Sequence, residues 1–146
     1  MREIKFRGID CSGQFVYGDL IHKRHDKESV LIQDYTGLGS DVDIITIGQY
    51  TGLKDKNDKE IYEGDIVEWV FFYERLGANM GVKECDTIVK GIIRWRQGGF
   101  ILEVVENDFE NAGYYSISAL YTDTEADVEI IANIHDNPEL IKEESK

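Results

Sequence analysis

Apolar and polar positions alternate from the first residues. In Arg2–Ile9, Ile4 and Phe6 fall on one side and Glu3, Lys5 and Arg7 on the other, which predicts a half-buried strand. Asp10-Cys11-Ser12-Gly13 is a turn by composition, and Phe15–Ile21 resumes as its hairpin partner. Lys23–Glu28 reads as a charged loop, Val30–Ile32 as a short strand, Asp34–Asp41 as a loop with two glycines, and the β-branched Val42–Ile47 as a strand. The polar Lys54–Lys59 is a turn in which Asn57 and Asp58 can take positive φ. Asp65–Phe72 is an apolar strand, and Glu74–Glu84 a glycine-containing loop. Thr87–Arg96 and Phe100–Val105 flank Gly98-Gly99, a two-residue hairpin signal. An acidic loop follows at 106–113, then strands over Tyr114–Leu120 and Val128–Ile134. Asn137-Pro138-Glu139 supplies an N-cap, a proline at N1 and an acid in the first turn of a short terminal helix.

No long amphipathic helix separates these strands, so parallel crossover units are excluded and antiparallel pairing is expected. The pattern predicts a mainly β fold of short antiparallel strands in one domain over 1–146. It would comprise an N-terminal hairpin lobe over 1–47, a small barrel-like unit over 48–146, and a short C-terminal helical turn. The chain has 146 residues, 42% of them hydrophobic, which is enough for a core without a disulfide or metal.

Charge changes the picture more than composition does. The net charge is -13, and residues 100–146 hold 12 acids against Lys142 and Lys146 alone. Such a field repels nucleic-acid phosphates and anionic lipid and favours basic partners. No apolar run nears the roughly 18 residues of a membrane span, and the first residues are too charged for a secretory signal. A cytoplasmic protein is expected.

The most distinctive stretch runs from Gln49-Tyr50-Thr51-Gly52 through the polar turn to Gly64-Asp65-Ile66-Val67. Gly64 is expected in a conformation closed to residues with a Cβ, and the Asp65 carboxylate is expected to accept from loop amides. Taken with Arg2-Glu3-Ile4-Lys5-Phe6-Arg7 and Ile131-Ala132-Asn133-Ile134-His135-Asp136-Asn137-Pro138-Glu139-Leu140, the stretch resembles the YopX family. The chain departs from that family at Asn57-Asp58, where Asn-Gly is commoner. The resemblance implies a largely β protein encoded by a phage or prophage, acting in the cytoplasm of the host cell. It implies no established activity and no catalytic residues.

Candidate chemistry is sparse. His22, His25 and Asp26 border a strand, where residues three apart point to opposite faces, so no metal site is expected even with His135 or Cys11 in reach. Cys11 and Cys85 belong to no Cys-x-x-Cys pair, and Cys11 lacks a neighbouring base, so no nucleophile is assigned. The acids Glu106, Asp108 and Glu110, and Asp123, Glu125, Asp127 and Glu129, recur every second residue, as on one strand face, without the ordered calcium-loop pattern. Among the aromatics, Trp69 and Trp95 are expected in the core. The sequence therefore points to a non-enzymatic interaction protein without a cofactor. Its partners would be proteins: a second copy, pairing through Asp65–Phe72, and a host or phage protein. The candidate docking residues are Glu125, Asp127, Glu129, Tyr114 and Tyr115. The alternative is a small nucleic-acid-binding barrel using Lys90, Arg94, Trp95 and Arg96, where basic residues surround an aromatic.

Overall fold

Turn chemistry sets the first sheet. In the computed structural model the chain is described over residues 1–76, 82–107, 113–121 and 127–140, with backbone alone at 27, 71–76, 82–87, 106–107, 119 and 121. Three hairpin turns share one construction, Asp-x-(Ser, Thr or Asn)-(Gly or Asp)-x, beginning at Asp10, Asp34 and Asp55. In each, the aspartate N–H donates to the fifth residue's carbonyl (2.9, 2.9 and 2.8 Å), and the fourth residue's N–H donates back to the aspartate carbonyl (3.0 Å throughout). The aspartate Oδ1 accepts from the N–H of the third residue (2.9 Å throughout) and of the fifth (3.1, 3.0 and 2.9 Å). The fourth position takes positive φ: Gly13 at 82°, Gly37 at 88° and Asp58 at 64°.

These turns, with a tight one at Arg24–His25, join β1 (Phe6–Ile9), β2 (Phe15–Lys23), β3 (Asp26–Gln33), β4 (Gly39–Val42), β5 (Gly48–Lys54) and β6 (Glu60–Tyr62). They form a six-stranded sheet in the order β4-β3-β2-β1-β5-β6. Val30, Ile32 and Ile61 are buried in it. The sheet bends until the end of β4 meets the end of β1. Val42 bridges Asp10, Asp43 N–H donates to the Ile9 carbonyl at 3.0 Å, and Ile9 N–H donates to Thr46 Oγ1 at 2.8 Å. Gly8 permits this approach, since a Cβ there would lie 3.0 Å from the Val42 side chain. The strand expected over Val42–Ile47 stops at Val42, because the Asp43 carboxylate accepts from Ile45 N–H at 3.1 Å and starts a 3-10 turn, Ile44–Thr46.

The second sheet holds β7 (Asp65–Leu76), β8 (Val82–Arg96), β9 (Gly99–Asn107), β10 (Tyr114–Ser116) and β11 (Asp127–Asn133). Its five strands run antiparallel in the order β10-β9-β8-β7-β11. Val67, Trp69, Val89, Ile93, Leu102, Val104, Leu120 and Val128 are buried in its core. The β8–β9 turn lies one residue earlier than Gly98-Gly99: Arg96 pairs with Gly99, and Gln97 and Gly98 take positive φ of 52° and 81°. Positive φ at both central residues is the twist-matched hairpin turn. The strand expected over Tyr114–Leu120 ends at Ser116 and gives way to a 3-10 turn, Ile117–Tyr121. Pro138–Leu140 forms the short C-terminal 3-10 turn.

Described contacts divide the chain into two units, Met1–Leu53 with Glu60–Glu63, and Lys54–Lys59 with Gly64–Lys146. Neither sheet closes into a barrel. The fold is mainly β and antiparallel. Among the described residues no helix is long and apolar enough to cross a membrane.

Candidate functional site

One of the two outer strands of the first sheet, β4, carries an unusual surface. On one side, the Asp34 turn is satisfied internally, with Gln33 Nε2 also donating to the Gly37 carbonyl at 2.9 Å. It displays Tyr35, fully exposed, and Leu38, 67% exposed. On the other side, the turn capped by Asp43 displays Ile44 at 44% and Ile45 at 79%. Between Lys27 and Lys54 the chain holds Glu28, Asp34, Asp41 and Asp43 and no lysine or arginine. One base reaches in from β2, Lys23, whose Nζ lies 2.6 Å from Asp41. The hydrogen bond from Asp34 N–H to the Leu38 carbonyl fixes the alternation along the pair. Ser40 and Val42, opposite Ile32 and Val30, turn their peptide groups toward β3, while Gly39 and Asp41 turn theirs to the outer side.

The residues singled out in the sequence are dispersed. Asp127 is exposed at the start of β11. Glu129 is engaged, with Lys56 Nζ 3.1 Å from Oε2 and Asn57 Nδ2 donating to Oε1 at 3.4 Å. It stands opposite Glu68, which stands opposite Lys90, so one row of β11, β7 and β8 carries two acids and a base. Glu125 lies outside the described residues, as do Asp108, Glu110 and Asp123. Tyr114 is exposed, whereas Tyr115 packs edge-on against Trp69 with ring centroids 5.3 Å apart.

Arg94 Nε and Arg96 Nη2 converge on Glu103 Oε2 at 2.9 and 3.0 Å. Trp95, between them, faces the other way and meets Phe100 at 4.8 Å. It is 48% exposed, not in the core, because it lies at the hairpin end where the sheet's cover runs out. The structure thus groups the two arginines and separates the tryptophan from them. Asp65–Phe72 is no sheet edge over its first part: Ile66–Val70 pairs with both β8 and β11. Cys11 is exposed and free. Among the described residues no cluster of three or more His, Cys, Asp or Glu is placed to hold a metal ion.

Residues 5–142 match the family model described as YopX protein. The chain belongs to the YopX family. The crystal structure of protein EF1440 from Enterococcus faecalis is similar at 22% identity and a TM-score of 0.48, covering 97% of this chain and 100% of that one. No curated protein matches.

In this YopX chain the motif residues hold the β5–β6 hairpin and the entry to β7. Tyr50 N–H donates to the Lys5 carbonyl at 2.8 Å, and Glu63 N–H to the Gln49 carbonyl at 3.0 Å. Thr51 Oγ1 donates to the Ile61 carbonyl at 2.8 Å. Gly52 and Gly64 take φ of 87° and 92°. Gly64 N–H donates to the Ile93 carbonyl at 2.8 Å, its own carbonyl accepts from Ile134 N–H at 2.9 Å, and Asp65 is buried beside it.

Sequence reasoning missed one cluster in the YopX chain. The buried Arg7 guanidinium lies 4.4 Å from the Phe15 ring centroid and 4.9 Å from that of Tyr62. Glu60 accepts from Lys5 Nζ at 2.7 Å and from the Tyr62 hydroxyl at 2.9 Å. Burial, reinforced by Glu60, pushes the Tyr62 hydroxyl pKa far up, so the phenol stays protonated. Arg7 faces Tyr17 across the β1–β2 register. The alternation assigned Ile4 to the buried side and Arg7 to the polar one, whereas Arg7 is buried and Ile4 is 57% exposed; the facing aromatics Phe15 and Tyr17 were the signal that the Arg7 face is covered.

Proposed function

We propose that this YopX-family chain is a phage or prophage accessory protein that works in the host cytoplasm by binding another protein, without catalysing a reaction. The observation that carries the reading is the display of Tyr35, Leu38, Ile44 and Ile45, all exposed, around one acidic strand. Grouped exposed apolar side chains mark interaction surfaces, and each one held in water forgoes burial worth roughly 1.5–3 kcal/mol. The turns that present them are hydrogen-bonded through Asp34 and Asp43, so the side chains are held out by built structure. A second copy, the other partner expected, would pair through an edge other than Ile66–Val70.

The test is affinity capture from host lysate with wild type and two variants, read by mass spectrometry. The Tyr35→Ser/Leu38→Ser/Ile45→Ser variant should lose a partner that the wild type holds in stoichiometric amount. Unchanged capture by that variant would overturn the placement. Loss with Glu125→Gln/Asp127→Asn/Glu129→Gln instead would move the surface to β11.

A further inference from the structure

We propose that the Asp55 turn is an edge guard: it lies along the outer edge of β11 in the place of a further strand and keeps the second sheet closed to strand addition. Such a guard is independent of whether the chain binds a protein through the surface around β4. The turn, Lys54–Lys59, and β11 both belong to the second unit.

The turn bonds the groups that a strand would bond. β11 is the last strand of the order β10-β9-β8-β7-β11, so one side of its backbone faces away from β7. On that side Lys56 N–H donates to the Val128 carbonyl at 2.8 Å, and Ile130 N–H donates to Asp55 Oδ2 at 3.1 Å. A neighbouring strand would bond these same two groups, on either side of Glu129. The side chain between them is answered as well. Lys56 Nζ lies 3.1 Å from Glu129 Oε2, and Asn57 Nδ2 donates to Oε1 at 3.4 Å. An opposite charge beside Glu129 is what a well-matched paired strand would supply.

Guarding and turn formation use different atoms. Asp55 Oδ1 accepts from Asn57 N–H and Lys59 N–H, both at 2.9 Å, as the Oδ1 atoms of Asp10 and Asp34 do in their own turns. That one oxygen makes the turn, and Oδ2 is left over for Ile130. Despite burial, the N–H groups of Ile130, Lys59 and Asn57 hold the carboxyl's pKa below its ordinary value, so both oxygens are acceptors at neutral pH.

The edge itself calls for cover. Residues 128–134 include Val128, Ile130, Ile131 and Ile134, with Glu129 as their single charge and no proline. A segment of this kind with a bare edge is a template for pairing with another chain, and a loop laid over it is one of the ways proteins prevent that. Without the turn, the edge would take an extended segment with a basic residue beside Glu129, in the place of Lys56. A second β11 would instead bring another Asp127 and Glu129 to the same edge, which like-charge repulsion disfavours.

The experiment uses the full isotope-labelled chain and two variants that spare the turn. Asp55→Asn keeps one oxygen for the turn and sets an amide NH2 against Ile130 N–H. Lys56→Pro removes the donor to Val128 and suits the second position of the turn. Both should keep the wild-type circular dichroism spectrum. Asp55→Asn should speed amide exchange at Ile130 by about tenfold or more. A blocked seven-residue peptide alternating valine and lysine should bind either variant about tenfold more tightly than wild type, and should restore slow exchange at Ile130 in Asp55→Asn. Asp10→Asn makes the same change in a turn of the first sheet and should bind the peptide no better than wild type. Unchanged exchange at Ile130 in Asp55→Asn, equal peptide binding by wild type and both variants, or protection at strands other than β11 would overturn the proposal. So would peptide binding by Asp10→Asn equal to that by Asp55→Asn, because lost stability rather than a lost guard would then open the sheet.

Discussion

Asp10, Asp34 and Asp55 do the same work with different partners at the fourth position of their turns. Asp58 holds a φ of 64° where the other two turns use glycine. A residue with a Cβ in the left-handed region costs roughly 1 kcal/mol relative to glycine. Asp58→Gly should therefore stabilise the protein by about 0.5–1 kcal/mol in urea unfolding, since the Lys54 contact it removes is exposed at 3.5 Å. Gly37→Ala should cost about the same amount. Asp55 differs from its two counterparts in being buried, with Oδ2 also accepting from Ile130 N–H at 3.1 Å. Burial raises its pKa, and the three backbone donors Ile130, Lys59 and Asn57 more than offset this, leaving it below the ordinary value. With the folded value below the unfolded one, this group contributes stability above its unfolded pKa and loses it as pH falls through the folded one. Wild type should accordingly lose more stability than Asp55→Asn between pH 6 and pH 3, measured by the urea midpoint. The turns were readable because Asx chemistry is local to five residues. The Arg7 stack was not, because Tyr62 arrives from a strand distant in sequence.

Elements end where a side chain captures a backbone group. Residues 42–47 carry β-branched side chains at five positions, and propensity alone makes them a strand. The Asp43 carboxylate on Ile45 N–H outweighs that preference, and Thr46 Oγ1 then donates to the Asp43 carbonyl at 2.6 Å while accepting from Ile9. Asp43→Ala should cost about 1 kcal/mol, the usual loss of a cap, and should broaden the Ile45 signals in a methyl spectrum. Gly91 shows the same dependence on partners that sequence cannot supply. It lies at the bulge facing β9, and a Cβ there would come within 2.6 Å of the Glu103 carbonyl. Gly91→Ala should destabilise by roughly 1–3 kcal/mol in the urea midpoint. The one-residue shift of the β8–β9 turn has a similar origin. Three candidate residues, Gln97, Gly98 and Gly99, were available to it, and the register of Arg96 with Gly99 chose the first two.

At the scale of the molecule, strand content, the antiparallel arrangement and family membership were all present in the sequence as alternation, turn residues and the Gln49–Val67 stretch. The order of strands within each sheet was not, since pairing of β1 with β5 or of β7 with β11 depends on residues far apart in the chain. Charge acts on the whole chain at once. A net charge of -13 opposes compaction, and salt shortens that repulsion to about 10 Å at 0.1 M, so sodium chloride should raise the melting temperature.

The partition of the chain has a consequence for synthesis. β6 completes the first sheet, yet Lys54–Lys59 is made before it and belongs to the second unit. While the ribosome delivers the N-terminal half, β1 to β5 must wait for Ile61, which is fully buried in the finished protein. The Asp55 turn waits far longer, because its outer oxygen accepts from Ile130 in β11. Chains emerge at about 5–20 residues per second, so the aspartate passes several seconds without that donor. The second unit can be finished only after Ile130 has been made.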